Sequence, residues 1–165
     1  MNAAAAVPGF WDHRHQAWTV PVMVGQHYVT DGDEHLATVL GSCVATCVRD
    51  RVTGVGGMCH MLLPETVGLV PRLVGAMVEE VLAYGGRRDD LEVKLFGGGR
   101  VIVATSDIGA LNVAAVRTYL CQLGLTVVAE DVGGPVARRL RYHPRTGHTL
   151  IQRLPMTVDP EGPIP

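Results

Sequence analysis

Apolar residues in this chain come in short runs punctuated by glycine, proline and aspartate, and the spacing within each run separates strands from helices. Val20–Val29, Leu36–Val48 and Gly56–Leu63 are β-branched or small-apolar runs and predict strands. Asp50-Arg51-Val52-Thr53-Gly54 between the second and third has the residues of a turn with glycine at its end, so those two strands predict a hairpin. Pro71 then opens a different pattern. Leu73, Val74, Met77, Val78, Val81 and Leu82 recur at helical spacing, with Gly85 as the stop.

Leu91–Phe96 and Val101–Thr105 predict short strands on either side of Gly97-Gly98-Gly99. Ser106 or Asp107 caps a second helix with Leu111, Ala115, Tyr119 and Leu123 along one side and Gly124 at its end. Leu125–Val132, Ala137–Tyr142 and His148–Leu154 close the pattern as strands. Strands outnumber helices without regular alternation, which predicts an α+β fold and not a doubly wound sheet.

Length and composition sharpen this. A chain of 165 residues, 47% apolar and 18% charged, is large enough for one well-buried core. Residues 1–18 predict a loose extension, 19–154 the single domain, and 155–165 a flexible, proline-rich tail. A net charge of −2 gives no electrostatic footprint for nucleic acid, and the arginines between Arg138 and Arg153 predict solvated strand faces. Every apolar run is interrupted before it reaches the length of a membrane span, and the N-terminus has neither the basic region nor the apolar core of a secretory signal. The expected compartment is the cytoplasm, with the four cysteines reduced.

The candidate chemistry is concentrated in LATVLGSCVATCVRD and GVGGMCHMLLP. Cys43 follows Gly41-Ser42, and His60 lies on the neighbouring predicted strand. A thiol and an imidazole are the minimum equipment for nucleophilic attack on an amide: histidine takes the thiol proton and returns one to the leaving nitrogen. Gly41 lets the backbone turn closely, and the Cys43 N–H, helped by Ser42, is the candidate oxyanion donor. Cys47 and Cys121 predict core positions. Cys43, Cys47, Cys59 and His60 together have the ligand types of a zinc site, but adjacent Cys59 and His60 point to opposite faces of a strand and no C-x-x-C knuckle is present, so no metal or other cofactor is expected. The glycine triplet lacks the Gly-Lys-Ser/Thr ending of a phosphate loop and predicts a tight turn or a wall beside the site.

These two segments, together with KLFGGG at Lys94–Gly99, IGALNVAAVRTYL at Ile108–Leu120 and DVGGPVARRLRYHPRTGH at Asp131–His148, resemble CheD, the chemoreceptor glutamine deamidase family of chemotaxis. The resemblance runs from about Val22 to Leu154 with order and spacing intact. It implies a layered arrangement of packed β-sheets with outer helices, and attack by Cys43 on a glutamine side chain to give a thioester that water, activated by His60, hydrolyses to glutamate. The implied substrate is the cytoplasmic helical region of a chemoreceptor, and the implied second partner is the phosphatase CheC.

Two positions depart from the family pattern. Some members carry a catalytic threonine six residues before the cysteine. Here that position is Ala37, and the adjacent Thr38 takes the role only if its strand bulges or shifts. Cys59 precedes the histidine where small or amide residues are familiar, and it is expected to point into the core. A regulatory module that docks on CheC or receptors without catalysis is the alternative reading, and a thiol hydrolase or transglutaminase-like enzyme with another substrate is a third.

Overall fold

The computed structural model describes residues 8–62, 68–102 and 105–155. In chain order the strands are β1 (Phe10–Asp12), β2 (Ala17–Pro21), β3 (His27–Thr30), β4 (His35–Leu40), β5 (Val44–Asp50) and β6 (Gly56–Met61), then β7 (Leu91–Gly97), β8 (Val127–Val132), β9 (Ala137–His143) and β10 (His148–Leu154). Helices α1 (Ala76–Ala83) and α2 (Ile108–Gln122) precede and follow β7.

The strands form two five-stranded sheets, β1-β2-β4-β9-β10 and β3-β6-β5-β7-β8. Both are mixed: β2 runs parallel to β4 and β7 parallel to β8, while the other pairs are antiparallel. One core fills the space between the sheets, where Leu36, Leu40, Leu140 and Tyr142 meet Ala45, Cys47, Met58 and Phe96. A second lies on the other face of the second sheet, where Val44, Val48, Met61, Val93 and Leu95 pack against α1 and α2. The molecule is a layered α+β fold of sheet, sheet and helices.

This layering explains why the sequence pattern merges some elements. The second sheet is covered on both faces, so β5 sends Ala45 and Cys47 to one core and Val44 and Val48 to the other, and reads as a continuous apolar run. The expected strand Leu36–Val48 is two strands in different sheets, and the chain crosses between them at Gly41-Ser42-Cys43. The expected strand Val20–Val29 also divides. Pro21, which has no N–H for a ladder, ends β2, and Gly25 at φ 82° turns the chain into β3.

Other differences are local. Part of the segment expected to be loose is ordered, because β1 pairs with β2 at Phe10↔Thr19 and Asp12↔Ala17. Helical turns begin at Leu69, ahead of Pro71, and widen to a π-turn over Pro71–Gly75 before α1. Val101 and Ile102 are not in a strand, and residues 103 and 104 of that expected element lie outside the described residues, as do Leu63 and residues 156–165. On α2 the buried face is Gly109, Asn112, Val113, Val116 and Leu120, about one position round from the expected stripe, so Leu111 is exposed. Asp107 caps α2 by accepting from the Ala110 N–H at 3.0 Å.

The β5–β6 hairpin forms as the turn chemistry predicts. Asp50 accepts the N–H groups of Val52 and Thr53 at 2.7 and 2.8 Å, and also the Arg87 N–H at 2.7 Å. The arginines of β9 are not all solvated, since Arg138 and Arg141 are buried. β9 lies inside the first sheet, so both guanidinium groups find partners within the protein, although Arg138 Nε is buried without a partner among the described residues. Arg138 pairs with Asp131 at 3.0 Å, and Arg141 pairs with Asp12 and donates to Thr19 at 2.9 Å, which ties the N-terminal hairpin to the sheet.

Candidate active site

Cys43 stands at the crossover between the sheets, immediately before β5, and His60 lies near the end of β6. The register Ala45↔His60 makes Cys43 and His60 diagonal neighbours on the face directed at the first sheet. Diagonal pairs in an antiparallel ladder lie about 7–8 Å apart at the backbone, within reach of long side chains.

Among the described residues the imidazole is held only through Nδ1. His60 Nδ1 is 2.8 Å from Thr38 Oγ1 and 3.1 Å from the Val22 carbonyl oxygen, while Thr38 Oγ1 donates to that same carbonyl at 2.9 Å. The hydroxyl's single proton is used on Val22, so Thr38 accepts from His60, and the proton of the neutral ring resides on Nδ1. Nε2 is then an unprotonated lone pair, buried and without a partner among the described residues. A buried, unpartnered acceptor carries a free-energy cost that a structural histidine does not incur without reason.

Thr38 reaches His60 without any bulge in its strand. β4 pairs with β9 in unbroken register, Leu36↔Tyr142 through Leu40↔Arg138, and Thr38 shares the inward face with the buried Leu36 and Leu40. The condition that β4 must bulge or shift is therefore not met. Ala37 points the other way.

Burial sets both protonation states. It lowers the His60 pKa below 6.5, opposed by the Val22 carbonyl, and raises that of the half-buried Cys43 above 9.0, opposed by the residue's own N–H. Both shifts favour the neutral forms, thiol and imidazole, and Nε2 keeps a lone pair able to accept a proton.

The loop carrying Cys43 is pinned on three successive carbonyls. Gly41 O accepts from the Gly99 N–H at 2.9 Å, Ser42 O from Asn112 Nδ2 at 2.8 Å, and Cys43 O from the Gly98 N–H at 2.7 Å. The close approach requires the glycine triplet. Gly97 and Gly98 have φ of 102° and 61°, and a Cβ on Gly97 would overlap the Cys43 carbonyl. Of the residues singled out from sequence, Gly41 and Ser42 thus act through their backbone carbonyls. Asn112 and the Val22 carbonyl were not foreseen. The signal for Asn112 is a lone amide among the buried apolar positions of α2, whereas a carbonyl oxygen carries no sequence signal at all.

The other cysteines occupy different settings. Cys59 is buried in the helix-side core, opposite to His60, with its thiol pushed up to about 11. Cys47 shares the Cys43 face but is fully buried between the sheets. Cys121 is exposed on α2, contrary to the expected core position, because the buried stripe is displaced around the helix. Among the described residues no group of three or more His, Cys, Asp or Glu is arranged to hold a metal ion, and no helix is long and apolar enough to cross a membrane.

A groove of about 910 Å³ meets the site at Val22, Thr38 and His60; its rim includes Phe10, Met23 and Leu150, and Cys43 is not part of its lining.

A cysteine at a strand crossover between two packed sheets, with an oriented imidazole diagonal to it on the neighbouring strand, has the group types that thiol chemistry on an acyl group requires. The family model for CheD, described as CheD chemotactic sensory transduction, matches residues 71–153, a stretch that begins after Cys43 and His60. Relatives extend the similarity over most of the chain. A probable chemoreceptor glutamine deamidase CheD of Halorhodospira halophila is 38% identical over 90% of this chain and 78% of its own length. Proteins with the same description from Cupriavidus metallidurans and Saccharophagus degradans are 40% and 38% identical, covering 98% and 93% of this chain and 80% and 81% of theirs. The chain belongs to the CheD family.

Proposed function

We propose that this protein is a protein-glutamine deamidase that converts glutamine side chains on the cytoplasmic helices of chemoreceptors to glutamate through a Cys43 thioester. The observation that carries this reading is the His60 ring, with Nδ1–H held by Thr38 and Val22 and Nε2 left bare and buried. The relatives' shared description as probable chemoreceptor glutamine deamidases supplies the substrate class.

In this mechanism Nε2 takes the thiol proton as Sγ attacks the glutamine carboxamide carbon. The C=O π electrons move to oxygen, and the Cys43 N–H receives the developing oxyanion. Collapse breaks the C–N bond, and His60 returns the proton so that the nitrogen leaves as ammonia. Nε2 then deprotonates a water that attacks the thioester carbonyl, and as the C–S bond breaks the imidazolium gives that proton to sulfur, restoring thiol and imidazole and releasing glutamate. Thr38 and the Val22 carbonyl stabilise the imidazolium that exists transiently in each half-reaction.

The substrate places the enzyme in the cytoplasm. CheC is the second partner this reading carries, binding over the Cys43 side. The test is mass spectrometry of a receptor cytoplasmic fragment after incubation with the wild type, Cys43→Ala and His60→Ala. Amide-to-acid conversion at defined glutamines by the wild type alone supports the reading, and conversion by either variant at the wild-type rate contradicts it. Binding of receptor or CheC without any conversion leaves the docking module as the function.

A further inference from the structure

Asn112 reaches the nucleophile's loop from the helical layer. It is fully buried in α2, and its Nδ2 donates to the Ser42 carbonyl at 2.8 Å across the layer boundary. The Ser42–Cys43 peptide is trans, since the described residues contain no cis bond, and in a trans peptide C=O and N–H point in opposite directions. With the Ser42 carbonyl directed into α2, the Cys43 N–H is directed away from it. That N–H lies against the Cys43 thiol itself, and among the described residues no backbone carbonyl accepts it. Nucleophilic sulfur and backbone donor therefore share one side of the loop.

We infer that Asn112 is a positioning residue for the oxyanion site: by holding the Ser42 carbonyl it fixes the peptide plane whose opposite end presents the Cys43 N–H to the reacting carbonyl. The inference rests on the deamidase reading above. The adjoining peptides are held at the Gly41 and Cys43 carbonyls by Gly99 and Gly98, which restrict the loop's translation. The Ser42–Cys43 peptide between them can still rotate about its flanking bonds, and Asn112 removes that freedom. A donor whose direction is preset costs no reorganisation as negative charge develops on the substrate oxygen.

Substitution separates this role from one in folding. Asn112→Leu keeps the branched shape without the donor, and Asn112→Ala guards against a packing failure specific to leucine. Each is measured for kcat and KM on a receptor cytoplasmic fragment, for thermal unfolding, and for the rate at which iodoacetamide alkylates Cys43. Alkylation needs the sulfur nucleophile but develops no oxyanion. In both variants kcat is expected to fall about tenfold to a hundredfold, approaching the loss seen when an oxyanion donor is removed outright, while KM and the Cys43 alkylation rate stay at wild-type values.

Wild-type kcat in both variants overturns the inference. So does a parallel loss of deamidation and alkylation in both, which would make Asn112 a support for the loop as a whole. A wild-type protein that alkylates at Cys43 but deamidates nothing defeats the functional reading itself, and the inference with it.

Discussion

At the scale of single residues, the account turns on which nitrogen of His60 carries the proton. Thr38→Val removes one of the two oxygens that accept from Nδ1 while conserving shape, leaving the Val22 carbonyl alone to hold the proton there and weakening the bias against the Nε2 tautomer, the wrong one for a base. Steady-state kinetics of Thr38→Val are expected to show a lowered kcat, by less than the roughly 10²–10⁴-fold cost of losing the base altogether, with Thr38→Ser close to wild type. The pH dependence follows from the same residue. Because burial lowers the His60 pKa, the acid limb of kcat/KM is expected below the ordinary value of 6.5. Stability carries the matching sign: the folded state binds the His60 proton less readily than the unfolded chain, so this contribution is complete above pH 6.5 and is lost as pH falls towards the lowered folded value. Denaturant titrations of wild type and His60→Gln across that window check it, and the variant should lack this component of the slope.

At the scale of elements, sequence pattern located most strands and both helices but misjudged where runs divide. The β5–β6 hairpin was legible because Asp50 and Gly54 carry turn chemistry of their own. The break at Gly41-Ser42-Cys43 was not, because a strand buried on both faces gives no alternation to interrupt, and a crossover between sheets is settled by tertiary packing. The same limit tied the Thr38 expectation to a bulge or shift that β4 does not have: its contact with His60 depends on how the first sheet lies across the second, which strand periodicity cannot report. The element-level consequence concerns cysteines that share a type and differ in setting. Cys47→Ala leaves a void between the sheets and should cost about 1–3 kcal/mol in equilibrium unfolding, whereas Cys121→Ala, on the exposed side of α2, should cost almost nothing.

At the scale of the whole molecule, the site is a product of layering. The first sheet supplies Thr38, the second supplies His60 and the approach of β7, the crossover between them supplies Cys43, and the helical layer reaches in through Asn112. At Gly98 the end of β7 and α2 approach closely: an added Cβ would overlap Val113 Cγ2 and lie 2.9 Å from the Gly109 carbonyl. Gly98→Ala must therefore separate β7 from α2, and is expected to lower both the thermal midpoint and deamidation, whereas Asn112→Leu affects the chemistry more than the melting. The family was legible in the sequence because its motifs are spread over every layer, while the geometry joining them had to come from the fold.

The most direct test of the central claim is the mass spectrum of a receptor cytoplasmic fragment after incubation with wild type and with Cys43→Ala, read at peptide resolution. The account predicts amide-to-acid conversion at specific glutamines with the wild type and none with the variant. Equal conversion by both, or none by a wild type that still binds the fragment, would contradict it.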